Sequence, residues 1–266
     1  MLDLFLSRAL HQAAVQHGPV MLMYHSVQPG WLRPNWPWAV SMKQFQDQLD
    51  FLASEGYATP TMAELNAMPI EQRAERTAVI TFDDGYVDNL AACEELKKRN
   101  MRATCFIVSG SIGQSPGWAE DGRPTGRLLN ANELRGMQAS GMEIGSHTVN
   151  HARLTQADDT HLMQELTESK STLEDLLGSA ITSFAYPYGD WDARCSAAVK
   201  QAGFAAACTT RSGWALRDND PFQLRRLTVF NNDSLGVFVR NLGVADNQST
   251  YSKLLLNQLS HYIHKS

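Results

Sequence analysis

Two clusters of side chains in this sequence have the types and spacing of a metal-dependent hydrolytic site. The first is Thr81-Phe82-Asp83-Asp84-Gly85-Tyr86, adjacent carboxylates where an apolar run (Ala78-Val79-Ile80) gives way to a helical pattern. The second is Gly145-Ser146-His147-Thr148-Val149-Asn150-His151, two histidines four apart after another short apolar segment. That spacing points both imidazoles the same way from one helical turn. Two imidazoles and a carboxylate can hold a divalent ion, with a second carboxylate left over as a base. Such an ion lowers the pKa of bound water to roughly 7, and the neighbouring base takes the proton. Each cluster alone has an ordinary explanation, a helix cap and turn for Asp-Asp-Gly and a structural role for the histidines. Together, following separate strands, they point to chemistry.

The elements that must position these residues alternate along the chain. Val20-Met21-Leu22-Met23-Tyr24 reads as a buried strand with His25 at its end, and Ser41 as the N-cap of a helix that stops near Gly56. Strands are expected over 77–82, 103–108, 142–145, 181–185, 204–209 and 224–230, with helices over 2–16, 87–99, 131–139, 156–177 and 192–201 and two more at the C-terminus. Segments 28–38, with three prolines and three tryptophans, and 109–126 read as long loops. Strand-helix alternation with short connections predicts an α/β protein with a mainly parallel sheet. His25, Asp83, Asp84, His147, His151 and Tyr188 all lie just past C-terminal strand ends, which favours a closed barrel over an open sheet.

Composition narrows the function. With 266 residues and 43% hydrophobic content the chain can bury a full core, and a net charge of −5 argues against nucleic acid as a partner. There is no dinucleotide or P-loop fingerprint. Cys93, Cys105, Cys195 and Cys208 form no C-x-x-C pair and read as buried thiols. No stretch approaches a membrane span or a secretory leader, so the expectation is a cytoplasmic protein. His11, His17, His161, His261 and His264 lie in amphipathic helices or near termini and are assigned no chemistry.

These motifs, with Phe184-Ala185-Tyr186-Pro187-Tyr188-Gly189 and the helix after Ser41, resemble the polysaccharide deacetylase family, the carbohydrate esterases with a NodB-like domain. The resemblance covers about 20–242. It implies a distorted (β/α)7-type barrel and a metal-dependent hydrolase of non-peptide carbon–nitrogen bonds, removing acetyl groups from an N-acetylated sugar or glycan. It further implies Asp83 as general base, Asp84, His147 and His151 as ligands of one divalent ion, zinc by its mixed N/O donors, and the Tyr188 backbone N–H as part of the oxyanion hole. The expected organisation is a packing helix over 1–18, the barrel over 19–245 and a C-terminal helix over 246–266.

The sequence also departs from the family. Typical members carry an arginine two residues before the proline of Pro-Tyr-Gly, which orients the base; here that position is Ala185. They also carry a late Leu-x-His whose imidazole protonates the leaving amine, where this chain has Leu224-Arg225-Arg226. Arginine does not release its proton near neutral pH. The strand ending at His25 resembles the opening strand of the poly-N-acetylglucosamine deacetylase branch, in which an early histidine lies in the active site. A barrel brings the first and last strands together, so the pattern reads as an exchange: His25 donates the proton and Arg226 orients Asp83. Trp31, Trp36 and Trp38 either stack on sugar or pack the loop down, with the first favoured, and Tyr86 is either a wall of the sugar site or core. Two other readings stay open: an amidohydrolase acting on another carbon–nitrogen bond, and a carbohydrate-binding barrel without turnover.

Overall fold

Three strands are buried along their whole length and apolar but for one threonine each in the last two: β1 (Val20–Tyr24), β4 (Ala78–Phe82) and β5 (Ala103–Ile107). Such runs belong to a parallel sheet covered on both faces, since an antiparallel sheet with one wet face would alternate. In the computed structural model of the chain, which describes residues 2–14, 16–69, 76–118 and 122–263, they lie side by side in a seven-stranded sheet. The other members are β6 (Glu143–Ser146), β7 (Ser183–Ala185), β8 (Ala206–Cys208) and β9 (Leu227–Thr228), in the order β8-β7-β6-β5-β4-β1-β9 with every pairing parallel. The edges then meet. Leu224 bridges Cys208, its N–H donating to Ala207 O at 3.0 Å and its carbonyl accepting from Thr209 N at 2.8 Å. The sheet thus curls into a distorted (β/α)7-type barrel.

The helices α2 (Met42–Ser54), α3 (Met62–Ala67), α4 (Asn89–Lys98), α5 (Ala131–Ala139), α6 (Asp159–Leu177) and α7 (Ala193–Gln201) flank the sheet. Their starts are chemically specified. Ser41 accepts from Gln44 N at 3.1 Å, Thr61 and Asn130 close capping boxes with Glu64 and Glu133, and Asp158 and Asp192 accept N–H bonds from three residues on. Outside the barrel, α1 (Leu2–Ala13) packs on α8 (Leu235–Val244) and α9 (Tyr251–Ile263). Asp3 and Ser7 both bind Arg240 there, at 2.6 and 2.7 Å. Gly236 allows the approach, because a Cβ would lie 1.9 Å from Asp3 Oδ2.

Several boundaries differ from expectation. β2 (Ser26–Gln28) and β3 (Ala39–Ser41) pair at the base of the loop expected over 28–38. The strand expected over 224–230 is regular only at Leu227–Thr228, because the chain first crosses the seam to pair with β8. Residues Leu154–Gln156 form a 3-10 turn ahead of α6. Residue 15, residues 119–121 of the expected loop, and His264 lie outside the described residues. The four cysteines are free and buried, and no described helix is long and apolar enough to cross a membrane.

Candidate active site

At the end of β4 the Asp83 N–H still donates to Tyr24 O, at 2.9 Å, before the chain turns sharply through Asp84 (φ 72°) and Gly85 (φ 84°). Gly85 is needed twice over: it adopts the left-handed region at no steric cost, and a Cβ would sit 2.9 Å from Ile107 Cδ1. The turn sends the two carboxylates to different partners. Asp83 meets Arg226 in a buried bidentate pair, Nη1 to Oδ1 at 2.6 Å and Nη2 to Oδ2 at 2.8 Å. The guanidinium is held from behind by Thr209 O (2.9 Å) and Thr81 Oγ1 (3.2 Å), and Thr81 is itself anchored on Leu22 O. Arg226 is fully buried, so its charge is stable there only because the fork is satisfied.

Asp84 faces the histidines. Its Oδ1 lies 3.6 Å from His147 Nε2 and 3.4 Å from His151 Nε2, and one ligand atom from each residue falls within 4.8 Å of the others. Asp84 Oδ1 is buried without a hydrogen-bond partner, an expensive state unless a cation completes it. Two donors about 2.1 Å from a tetrahedrally bound zinc ion would lie about 3.4 Å apart. Separations and orphaned oxygen therefore both fit a metal. His147 could serve as a ligand: Nδ1 lies 2.8 Å from Ala185 O, which fixes the proton there and leaves the Nε2 lone pair on the side of Asp84.

The histidines do not come from a helical turn. Thr148 (φ 69°) and His151 (φ 57°) are left-handed, and the segment is an irregular loop. Glu165, on α6, explains how that conformation is held. Its buried carboxylate accepts from Val149 N (2.8 Å), Asn150 N (3.0 Å) and Asn150 Nδ2 (2.7 Å). From the other side, Ser109 N and Gly110 N donate to Thr148 O and Val149 O. Of seven left-handed residues other than glycine among those described, Asp84, Thr148, His151 and Tyr188 belong to this site. Backbone strain concentrates where geometry is over-determined.

A cavity of about 540 Å³ opens over these groups, lined also by Met23, His25, Trp38, Arg153, Tyr188, Thr210 and Thr228. His25 stands edge-on to Trp36 (5.6 Å), with a buried Nδ1 that has no protein partner. Tyr188 occupies a 3-10 turn, Pro187–Gly189, at φ 60°, its ring exposed at the rim with Arg153 stacked 3.8 Å above it. Trp118 stacks on His151 at 4.5 Å. The three loop tryptophans separate: Trp36 is buried with Tyr86 and Trp118 in a small core, Trp38 lines the cavity, and Trp31 is exposed elsewhere. Tyr86 is thus core. Sequence reading missed Glu165, Trp118 and Arg153, which carry no local signal.

Burial pushes the Asp83 carboxyl up, but the Arg226 guanidinium, with His147 beyond it, outweighs that and holds it below the usual carboxylate range. Asp84 is also held low, burial being overcome by the imidazole of His151 close against it and by those of His25 and His147. His147 is pushed down to about 4 by burial, so at neutral pH it presents a lone pair rather than a proton.

Comparison with known proteins gives this geometry its place. A family model for polysaccharide deacetylase matches residues 71–207, more than half of the chain. The chain is 29% identical over 229 residues to YxkH of Bacillus subtilis, named as a candidate polysaccharide deacetylase, covering 84% of this chain and 76% of that protein. It is 26% identical over 127 residues to the chitooligosaccharide deacetylase of Azorhizobium caulinodans, 47% of this chain and 53% of that one. Among solved structures, the Streptococcus pyogenes deacetylase PplD in complex with acetate superposes with a TM-score of 0.74 at 26% identity, covering 85% and 98% of the two chains. IcaB from Ammonifex degensii shares the fold (TM-score 0.68, 24% identity, 85% and 97% coverage). From the family match, the superposition and the barrel that carries these carboxylates and histidines, we conclude that the chain belongs to the polysaccharide deacetylase family and is a hydrolase of carbon–nitrogen bonds other than peptide bonds.

Proposed function

We propose that this hydrolase removes the acetyl group from an N-acetylated sugar or glycan with one divalent ion, zinc by its mixed nitrogen and oxygen donors, held by Asp84, His147 and His151. The observation that carries the reading is the orphaned Asp84 oxygen between two imidazoles, beside a second carboxylate pinned in the same cavity. Bound there, the ion supplies a Lewis acid that acidifies water and polarises the acetyl carbonyl. The rest falls to the protein. Asp83 takes the proton of the attacking water, and Arg226 keeps it ionised and correctly turned. The Tyr188 N–H donates to the developing oxyanion. His25 gives a proton to the departing nitrogen, so that the carbon–nitrogen bond breaks to acetate and a free amine. The acetate held by PplD supports acetyl as the group released. Arg226 serves the orienting function that Ala185 cannot.

Acetate release by the metal-loaded protein from a panel of N-acetylated sugars tests this. Asp83→Asn should keep its ion and fold while turnover falls by about two to four orders of magnitude. Near-normal turnover in that variant would remove Asp83 as the base. A fully metallated wild-type protein that releases no acetate would favour a carbohydrate-binding barrel.

A further inference from the structure

Arg153 lines the metal-side cavity but takes no part in the chemistry above. Two residues after His151, it sits in a stretch that is fixed by its neighbours. Leu154 is fully buried, Arg194 Nη2 donates to the Leu154 and Thr155 carbonyls at 3.2 and 3.3 Å, and Thr155 Oγ1 donates to Asp190 Oδ2 at 2.5 Å. The side chain is laid over Tyr188, with the guanidinium carbon 3.8 Å from the ring centre. Stacking uses the flat face of the guanidinium and leaves its N–H edge available. That edge is unused. Among the described residues the guanidinium has one ion-pair contact, Asp190 Oδ2 at 4.0 Å, which is too long for a hydrogen bond and whose oxygen already accepts from Thr155.

The charge around it is not balanced either. Asp83, which lines the same cavity, is matched by Arg226, one charge against one. Asp84 offers a single negative charge to a divalent ion that the two histidines would hold as neutral ligands. Loaded with that ion, the cavity keeps a surplus of positive charge, to which Arg153 adds its own. The Tyr188 ring lies 4.5 Å from that of His151, so the guanidinium carbon is within about 8 Å of the His151 ring. One pyranose carrying an acetamido group and a charged substituent covers such a distance. A neutral sugar would leave the fork and the surplus charge unanswered, whereas the paired oxygens of a carboxylate or phosphate fit both. Resting on the deacetylase reading above, we propose that Arg153 is a specificity-determining residue, and that the sugar unit losing its acetyl group carries an anionic substituent, a carboxylate or a phosphate, which Arg153 binds.

Three monosaccharides test this: N-acetylglucosamine, N-acetylmuramic acid, which adds a carboxylate, and N-acetylglucosamine 6-phosphate. With the zinc-loaded enzyme, kcat/KM for at least one acidic sugar should exceed that for the neutral one by about tenfold, and the acid preferred identifies the group. Arg153→Gln should abolish that preference, Arg153→Lys should keep part of it, and sodium chloride at roughly 0.5 M should shrink it in the wild type. Ligand-observed NMR titrations of the zinc-loaded Asp83→Asn protein, with and without Arg153→Gln, should give the same order of affinities. No preference for either acid in binding, turnover that favours the neutral sugar, or an equal loss on all three sugars in Arg153→Gln, as expected if the stack only supports Tyr188, would overturn the assignment. Arg153-dependent binding of an acidic sugar, with no acetate released by the wild-type protein from any N-acetylated sugar, would instead sink the deacetylase reading and leave the anion site standing.

Discussion

Replacing Arg226 by methionine removes the fork that neutralises Asp83 while filling much of the same volume. The carboxylate is left 2% exposed with both oxygens deprived of charged donors. Breaking a buried pair from one side costs about 3–5 kcal/mol, which for a chain of this size lowers Tm by roughly 5–10 °C. The pH dependence separates the charge from the packing. In the wild type the folded-state pKa of Asp83 is depressed, so the pair's stabilisation is present above the unfolded-state value and is lost as pH falls through the folded one. In the variant, burial acts with no guanidinium to oppose it and the folded pKa rises. The penalty therefore grows as pH climbs from the unfolded value towards the raised one. Thermal melts of both proteins at pH 4 and pH 7 should show a Tm gap several degrees larger at pH 7, and the acid limb of the activity profile should move towards neutrality. A gap of equal size at both pH values would mean that Arg226 acts by packing alone and would refute the reasoning.

Two other perturbations probe the supporting residues. Glu165→Ala removes three bonds to the loop between the histidines and should weaken zinc affinity by about 10- to 100-fold in a competition titration with a chromophoric chelator; an unchanged affinity would mean the loop holds itself. His25→Ala should depress release of acetate from amides far more than from activated esters, whose leaving group needs little protonation; equal losses on both would remove His25 as the proton donor.

The barrel was legible because its strands are short apolar runs ending in polar residues, and a parallel sheet places all such ends on one rim. The same topology makes the segment around Arg226 a neighbour of β1, since β9 pairs with β1 on one side and the chain before it bridges β8 on the other. Local spacing failed between His147 and His151. A four-residue interval suggests a helical turn, but the loop's conformation is held by a carboxylate from α6, and nothing within the seven-residue motif encodes that partner. Trp118 on His151 and Arg153 over Tyr188 were hidden for the same reason, being contacts between segments far apart in the chain. The tryptophans of the 28–38 loop show a further limit of composition: three identical side chains in eight residues end up as core, cavity wall and exposed rim.

Whether Asp84, His147 and His151 together hold one divalent ion is decided by elemental analysis of the purified wild-type protein beside His147→Ala and His151→Ala, each checked for an intact fold by circular dichroism. One ion per wild-type chain and its loss from both variants is the predicted result; full retention of metal in both would contradict it.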